Sequence, residues 1–444
     1  MEPGRVLRPQ TIYAPATGPG RAAIAIIRIS GPSTEAALTA LLGKPPPPQR
    51  SARLMAIRRP SSGERIDRAL VLFFAAPRSF TGEPMAELHI TGGRATLAAT
   101  LAALAEAPGL RPAEPGEFAL RAFENGKLDL AEVEGLADLV DAQTEAQRRQ
   151  AQRIAGGALS RASEAIRGHI LEAMAMVEAE IDFSDQDDVD PGALAAARRH
   201  ARAAALAIDE ALKGASAGER LRDGFRVVIA GPPNVGKSTL MNALARRDVA
   251  IVSATPGTTR DVLEVALDLR GFPVLLVDTA GIRAAEDAVE REGIARALLR
   301  IEDADLTLWL QAPNGEKAEP PAQARQLLHV RTKSDLAPAE AGPEAIRISA
   351  LAGLGLEELL DAIADIAEES MGGAEPALLT QERHRLVFLD AERALRRALN
   401  PANSAAELIG EDLRLAARAL ERIAGRIDVE DVLGQIFARL CIGK

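Results

Sequence analysis

Apolar and polar residues repeat along this chain at two different periods, and the changes of period mark its parts. Ala22–Gly31 reads AAIAIIRISG, a β-rich run closing in a turn, and Ser33–Leu42 follows with helical spacing. After the stiff loop Pro45–Pro48, the segments Leu54–Arg58, Arg68–Phe74 and Met85–Ile90 alternate as strands, and Thr96–Ala107 returns to helix. From Phe118 to about Gly218 the period is helical throughout. Leu128–Gln152 has roughly helical spacing on Leu128, Val133, Leu136, Leu139 and Val140, and Ala158–Ile181 and Pro191–Lys213 follow. The acidic break Asp182–Asp190 lacks the glycine and ligand spacing of an EF-hand and reads as a solvated connection. Gly214–Asp223 reads as a polar linker. Residues 220–372 then alternate β and α, the pattern of a parallel sheet with crossover helices. Helix resumes over Thr380–Leu399, Ser404–Gly425 and Asp428–Arg439.

These patterns predict a multidomain α/β plus α protein in four segments. Residues 1–120 form an α+β domain, 121–219 a first helical part, 220–372 an inserted α/β domain, and 373–444 a second helical part. Domains inserted in this way need their own ends close together, which is common.

Composition narrows the class. Apolar residues make up 47% and charged residues 26% of the 444, the balance of a soluble globular protein. A single cysteine excludes an internal disulfide and suits a reducing, cytoplasmic compartment. No run has the length of a membrane-spanning helix, and Met1–Gln10 lacks the apolar core of a signal peptide. The net charge of −10 argues against a wide nonspecific nucleic-acid surface, while leaving room for a local basic patch or a basic partner.

The chemistry begins at Gly231–Ser238, GPPNVGKS, which fits G-x-x-x-x-G-K-[ST]. A strand pattern, Phe225–Ala230, precedes it and a helix pattern, Thr239–Ala245, follows. Backbone N–H groups of such a loop converge on a phosphate at a helix N-terminus. Lys237 would reach the β- and γ-phosphates, and the Ser238 hydroxyl would ligate Mg²⁺. Downstream motifs come in the order of a GTPase. Gly257–Asp261 (GTTRD) places Thr259 to complete the Mg²⁺ shell, and Asp278-Thr279-Ala280-Gly281 supplies the D-x-x-G element. In Thr332-Lys333-Ser334-Asp335, Asp335 can accept both guanine N1–H and the N2 amine, which adenine cannot match. Ser349 and Ala350 lie in the loop that would meet guanine O6. The expected GTP-binding set is Asn234, Val235, Gly236, Lys237, Ser238, Thr239, Ser253, Ala254, Thr255, Pro256, Gly257, Thr258, Thr259, Asp278, Thr279, Ala280, Gly281, Thr332, Lys333, Asp335, Ser349 and Ala350.

Two departures from the common pattern matter. Thr332 stands where N-K-x-D has asparagine; its hydroxyl can still tie the loop to the phosphate loop by one hydrogen bond. Ile282 follows Gly281 where many regulatory GTPases carry a water-orienting glutamine. Asn234 offers a compensation: its side-chain oxygen could hold K⁺ beside the phosphates.

The flanking segments carry a resemblance. Ala16–Arg21 (ATGPGR), Arg28–Gly31, Ser79–Glu83 (SFTGE), Pro115–Phe118 (PGEF), Asn125–Leu130 (NGKLDL) and the closing Cys441–Lys444 (CIGK) together resemble the MnmE (TrmE) tRNA-modification GTPases, nearly end to end. That resemblance implies an N-terminal domain that binds a 5-formyl or 5,10-methylene tetrahydrofolate and forms a homodimer, a discontinuous helical domain, and an inserted Ras-like P-loop domain. It places Arg28, Glu87, Lys127 and Lys444 at the folate and holds K⁺ by Asn234, Thr258 and the carbonyls of Ser253 and Thr255. It makes Glu290 the catalytic water-orienting residue and Cys441 a candidate catalytic group. It also implies a partner, MnmG (GidA), that brings FAD and NADH into a heterotetramer or larger complex. The implied product is a tRNA carrying an aminomethyl or carboxymethylaminomethyl group at carbon 5 of wobble uridine 34. The G motifs alone would fit a regulatory ribosome-assembly GTPase equally well.

Overall fold

The computed structural model describes residues 10–182, 192–251, 264–278, 298–313, 318–336, 345–372, 377–402, 405–425, 436 and 443. The chain divides into two compact units, residues 1–137 with 421–444, and residues 138–420.

In the first unit, β1 (Thr11–Pro15), β2 (Ile24–Ser30), β3 (Arg53–Arg58), β4 (Arg65–Phe74), β5 (Met85–Thr91) and β6 (Leu110–Pro112) form one sheet in the order β3-β4-β5-β2-β1-β6. All neighbours are antiparallel except β1 and β6. Helices α1 (Thr34–Leu42) and α2 (Arg94–Ala105) cover one face, packing Leu38, Leu41 and Leu104 with Ile27, Ile29, Val71 and Leu88. Strand β1 escapes a periodicity reading because its first four residues are all buried, so it shows no alternation. α3 (Glu117–Glu124) and the start of α4 (Leu130–Asp141) complete this unit, with the Leu130 N–H donating to the Ala424 carbonyl.

The second unit carries helices α5 (Glu145–Ala155), α6 (Ala158–Asp182), α7 (Ala193–Lys213) and α8 (Ala215–Asp223), then an α/β layer, then α11 (Glu382–Ala398) and α12 (Ala406–Glu421). The helical stretch Leu128–Gln152 holds two helices. The chain leaves α4 after Asp141, and Thr144 caps α5, accepting from the Gln147 N–H while Gln147 reaches back to the Thr144 N–H. The predicted linker Gly214–Asp223 is mostly helix α8. Its buried stripe consists of Ala215, Gly218 and Leu221, too small to read as amphipathic. A Cβ on Gly218 would sit 2.2 Å from the Leu379 carbonyl oxygen, so this helix packs through a residue with no side chain. Ion pairs Arg220–Asp305 at 2.7 Å and Arg385–Glu219 at 2.9 Å tie α8 to its neighbours.

The α/β layer has strands β7 (Phe225–Ala230), β8 (Glu264–Leu269), β9 (Phe272–Asp278), β10 (Leu306–Gln311), β11 (Leu327–Arg331) and β12 (Ile346–Arg347), with α9 (Lys237–Ala245) and α10 (Leu356–Ser370). Its order is β12-β11-β10-β7-β9-β8. The strands are parallel except β8, which returns antiparallel beside β9 through a turn at Arg270-Gly271. Both faces are apolar: Val227 and Ile229 pack with Leu240, Leu359 and Ile363, while Val228 and Ala230 pack with Ile301 and Trp309. The chain runs outward in opposite directions from the β7–β10 boundary, so the strands' C-terminal ends flank a crevice at the switch point.

Candidate functional site

Among the described residues, the loops after β7, β11 and β12 and the end of β9 form the candidate nucleotide cradle. After β7 the backbone turns at Gly231, where a Cβ would lie 2.6 Å from the Leu310 carbonyl oxygen. Only glycine allows the loop to run this close to β10. Asn234 follows in the left-handed region at φ 59, exposed, and buried Val235 anchors the loop to the core. Gly236 (φ 107) is the N-cap of α9, so the N–H groups of Lys237, Ser238 and Thr239 open the helix unpaired by it.

The Lys237 Nζ donates to the carbonyls of Gly231 at 2.8 Å and Pro232 at 2.9 Å. Burial pushes its pKa down, and the nearby Asp278 carboxylate partly opposes that. Asp278 ends β9 and is buried at 1% exposure; its Oδ2 accepts from the Ser238 hydroxyl at 3.1 Å. A hydroxyl and a buried carboxylate so placed are oxygen ligands suited to Mg²⁺, one directly and one through water. The Arg300 guanidinium also donates to the Asp278 carbonyl at 3.2 Å, a contact with no sequence signal.

The loop carrying Thr332–Asp335, the expected guanine-reading loop, follows β11 and is tied to the phosphate loop. The Thr332 hydroxyl donates to the Val235 carbonyl at 2.7 Å, and its N–H donates to Gln311 O at 2.8 Å. Lys333, at φ 53, donates from Nζ to Asn234 O at 2.9 Å. Asp335 is exposed, its carboxylate open to a ligand. Ser349, buried at 1%, bridges to Leu354 by paired backbone hydrogen bonds and holds the loop that includes Ala350. The remaining expected positions, Ser253, Ala254, Thr255, Pro256, Gly257, Thr258, Thr259, Thr279, Ala280, Gly281 and Glu290, lie outside the described residues.

A second cluster sits on the sheet of the first unit. Arg28 on β2 and Glu87 on β5 are register partners, and Arg28 Nε donates to Glu87 Oε1 at 3.1 Å. Arg28 Nη1 donates to the Gly443 carbonyl at 3.2 Å, which places Gly443 at this strand pair. The guanidinium also lies 5.4 Å over the Phe80 ring, within cation–π range. His89 Nε2 lies 3.3 Å from the other Glu87 oxygen. Lys127 is exposed, with its stem against Gly82, whose Cβ would lie 3.3 Å from Lys127 Cε. Lys444 and Cys441 lie outside the described residues. A partly buried polar chain without a predicted role links Ser30, Glu83, Arg121, Glu117, Asn125 and Thr81. Ser30 donates to Glu83 at 2.8 Å, Arg121 to Glu83 at 3.0 Å and to Glu117 at 2.9 Å, and Asn125 to the Thr81 carbonyl at 2.7 Å. These contacts fix the SFTGE, PGEF and NGKLDL segments relative to one another. The face combines a carboxylate, a guanidinium and an aromatic ring, which suits a planar heterocycle bearing both donors and carboxylates.

Comparison with known proteins identifies the family. The family description "GTP-binding protein TrmE N-terminus" matches residues 11–127, and "MnmE helical domain" matches residues 130–441. A protein of Methylobacterium sp. (strain 4-46) named tRNA modification GTPase MnmE is 53% identical over 442 residues, spanning 98% of this chain and 99% of that protein. Its namesake in Beijerinckia indica is 52% identical, across 98% and 96%. Among solved structures, the G domain of the T. maritima FeoB iron transporter matches 32% of this chain and 98% of that one, at 25% identity and a TM-score of 0.24, too low a score to add to the fold described above. With two family descriptions and near-complete alignment at over half identity, this chain belongs to the MnmE family of tRNA modification GTPases.

Proposed function

We propose that this chain is a K⁺-stimulated GTPase that, with an MnmG (GidA)-type partner supplying FAD and NADH, modifies carbon 5 of wobble uridine 34 in certain tRNAs. The carrying observation is the alignment over 98% of the chain, which takes in the phosphate cradle and the Arg28–Glu87 cluster together. A GTPase that only timed an assembly step would have no need of the second cluster.

In this reading the α9 N-terminus and Lys237 hold the β- and γ-phosphates, and leaving its two loop carbonyls makes the ammonium available to them. Ser238 and Thr259 ligate Mg²⁺, with Asp278 behind them. Asp335 selects guanine, and Thr332 keeps its loop in register with the phosphate loop. Asn234, Ser253, Thr255 and Thr258 would hold K⁺, which would supply the positive charge that an arginine finger gives in other GTPases. Glu290 orients the attacking water, the role that Ile282 cannot perform.

Arg28, Glu87, Lys127 and Lys444 hold a 5-formyl or 5,10-methylene tetrahydrofolate, which supplies a one-carbon unit when bound. Arg28 and Lys127 are matched to its carboxylates, and Glu87 to its ring N–H donors. Cys441 follows from the same C-terminal segment as a catalytic or positioning thiol. The chain works as a homodimer in a heterotetramer or larger complex in the cytoplasm. Among the described residues no helix is long and apolar enough to cross a membrane.

Nucleoside analysis of bulk tRNA from a strain lacking this gene tests the reading. Loss of the aminomethyl or carboxymethylaminomethyl uridines is expected, with carbon 5 left unmodified. Unchanged wobble uridines would contradict it and favour a ribosome-assembly GTPase.

A further inference from the structure

Helices α6 and α7 pack along a seam of small and branched residues, Ile166, Ile170, Ala173 and Val177 against Ala197, Ala201, Ala204 and Ile208. At the rim of that seam three metal-binding side chains converge. His169 and Glu172 are three residues apart on α6, so they share a face. His200 on α7 lies opposite, its Nδ1 2.7 Å from Glu172 Oε2. The two imidazole rings have centroids 5.8 Å apart and are tilted by 40°. One ligand atom from each residue lies within 4.8 Å of the other two. Two of the chain's five histidines meet here, far from both sites described above in sequence.

We propose that His169, Glu172 and His200 form a binding site for a late first-row divalent transition metal, with Zn²⁺ the best match. The donor set is two imidazoles and one carboxylate, which suits Zn²⁺, Ni²⁺ or Cu²⁺ and not the all-oxygen preference of Mg²⁺ or Ca²⁺. Zinc–nitrogen and zinc–oxygen bonds of about 2.1 Å in a tetrahedron place ligand atoms about 3.4 Å apart. The His200–Glu172 spacing of 2.7 Å is shorter than that, and every other pair lies within 4.8 Å. His169 and Glu172 are exposed and His200 is half-buried, so rotation of the side chains alone can close the triangle. Open solvent supplies a fourth ligand. Because the ligands come from two helices that are consecutive in sequence, the ion would cross-link the α6–α7 hairpin and stabilise the folded form over the unfolded chain.

The test uses the full-length protein, stripped with chelator, in a Cys441→Ser background that removes the only thiol. Titration with Zn²⁺ alone, followed by calorimetry, should show one site per chain, and Co²⁺ should give the visible absorption of a four-coordinate nitrogen–oxygen site. His169→Ala and His200→Ala should each weaken Zn²⁺ binding about 10- to 100-fold and remove the Co²⁺ spectrum. His169 is exposed and His200 half-buried, and circular dichroism and GTP hydrolysis report whether the variants stay folded. Zn²⁺ should raise the thermal midpoint of the parent and not of the variants. Equal stoichiometry and affinity in the parent and in the two variants would overturn the proposal. So would a folded parent that binds no Zn²⁺ at micromolar concentration.

Discussion

Thr332→Val tests how the nucleotide cradle is held together. Valine keeps the shape of threonine and removes only the hydroxyl. That hydroxyl donates to the Val235 carbonyl at 2.7 Å, and the two residues are 5% and 3% exposed. Water has little access to the freed carbonyl, and leaving a buried acceptor unpaired costs about 1–3 kcal/mol. Two tethers survive: the Thr332 N–H still holds Gln311 O at 2.8 Å, and Lys333 still reaches Asn234 O at 2.9 Å. The base loop therefore keeps its place at the end of β10 and β11 but loses its buried tie to the phosphate loop. A net loss of about 1–2 kcal/mol corresponds to a roughly 5–30-fold weaker Kd. The loss should be equal for GTP and GDP, because the broken bond lies between the base loop and the start of α9 and not at the γ-phosphate. Titration with fluorescent analogues of both nucleotides measures it. Thr332→Asn, whose amide can keep the bond, should bind at least as well as the parent. A Thr332→Val protein with both affinities within twofold of the parent, or with loss confined to GTP, would refute the reasoning.

Other expectations follow from particular contacts. Gly231→Ala drives a Cβ to 2.6 Å from the Leu310 carbonyl oxygen, so strain of about 1–3 kcal/mol should displace the phosphate loop and lower nucleotide affinity about tenfold or more by the same titration. Glu117 is buried, which raises its pKa, but hydrogen bonds from Arg111, the Glu114 N–H and Arg121 outweigh that and hold it below the usual carboxylate range. Its stabilisation is therefore complete above the unfolded-state value of about 4.3 and fades as pH falls through the lower folded value. Glu117→Gln should cost about 3 kcal/mol at pH 7, and thermal melts should show the gap to the parent narrowing below about pH 4. Glu290→Ala should retain GTP binding and lose hydrolysis by orders of magnitude, and Na⁺ in place of K⁺ should slow the parent strongly. A phosphate-release assay reads both, and equal rates in the two salts would remove K⁺ from the account.

What the sequence displayed and what it concealed separate along physical lines. The phosphate loop was legible because its chemistry is local: a strand, a glycine-rich turn and a helix start are contiguous, and Lys237 begins α9 as the motif requires. The order of the later motifs followed the strand ends for the same reason. The pairing of Arg28 with Glu87 is not local. It depends on the register of β2 against β5 across 59 residues, and only a resemblance brought the two together beforehand. Phe80 and Gly443 reach that cluster through tertiary packing alone. The misread helices failed on side-chain size and capping. α8 buries a stripe of alanine, glycine and leucine, which looks polar on average, and the break at Thr144 hides a capping box within a continuous helical period. The antiparallel β8 reads like any strand, since direction in a sheet is set by the connection and not by alternation.

The central claim is that the phosphate cradle and the Arg28–Glu87 cluster serve one product. Nucleoside analysis of bulk tRNA tests it most directly, in a deletion strain carrying the parent gene, Lys237→Ala or Arg28→Ala at equal protein levels. The account predicts that the parent restores the modified wobble uridines and that each variant leaves them largely absent. It further predicts that Arg28→Ala keeps basal GTP hydrolysis in vitro while Lys237→Ala loses it. Full restoration of the modified uridines by either variant would contradict the account.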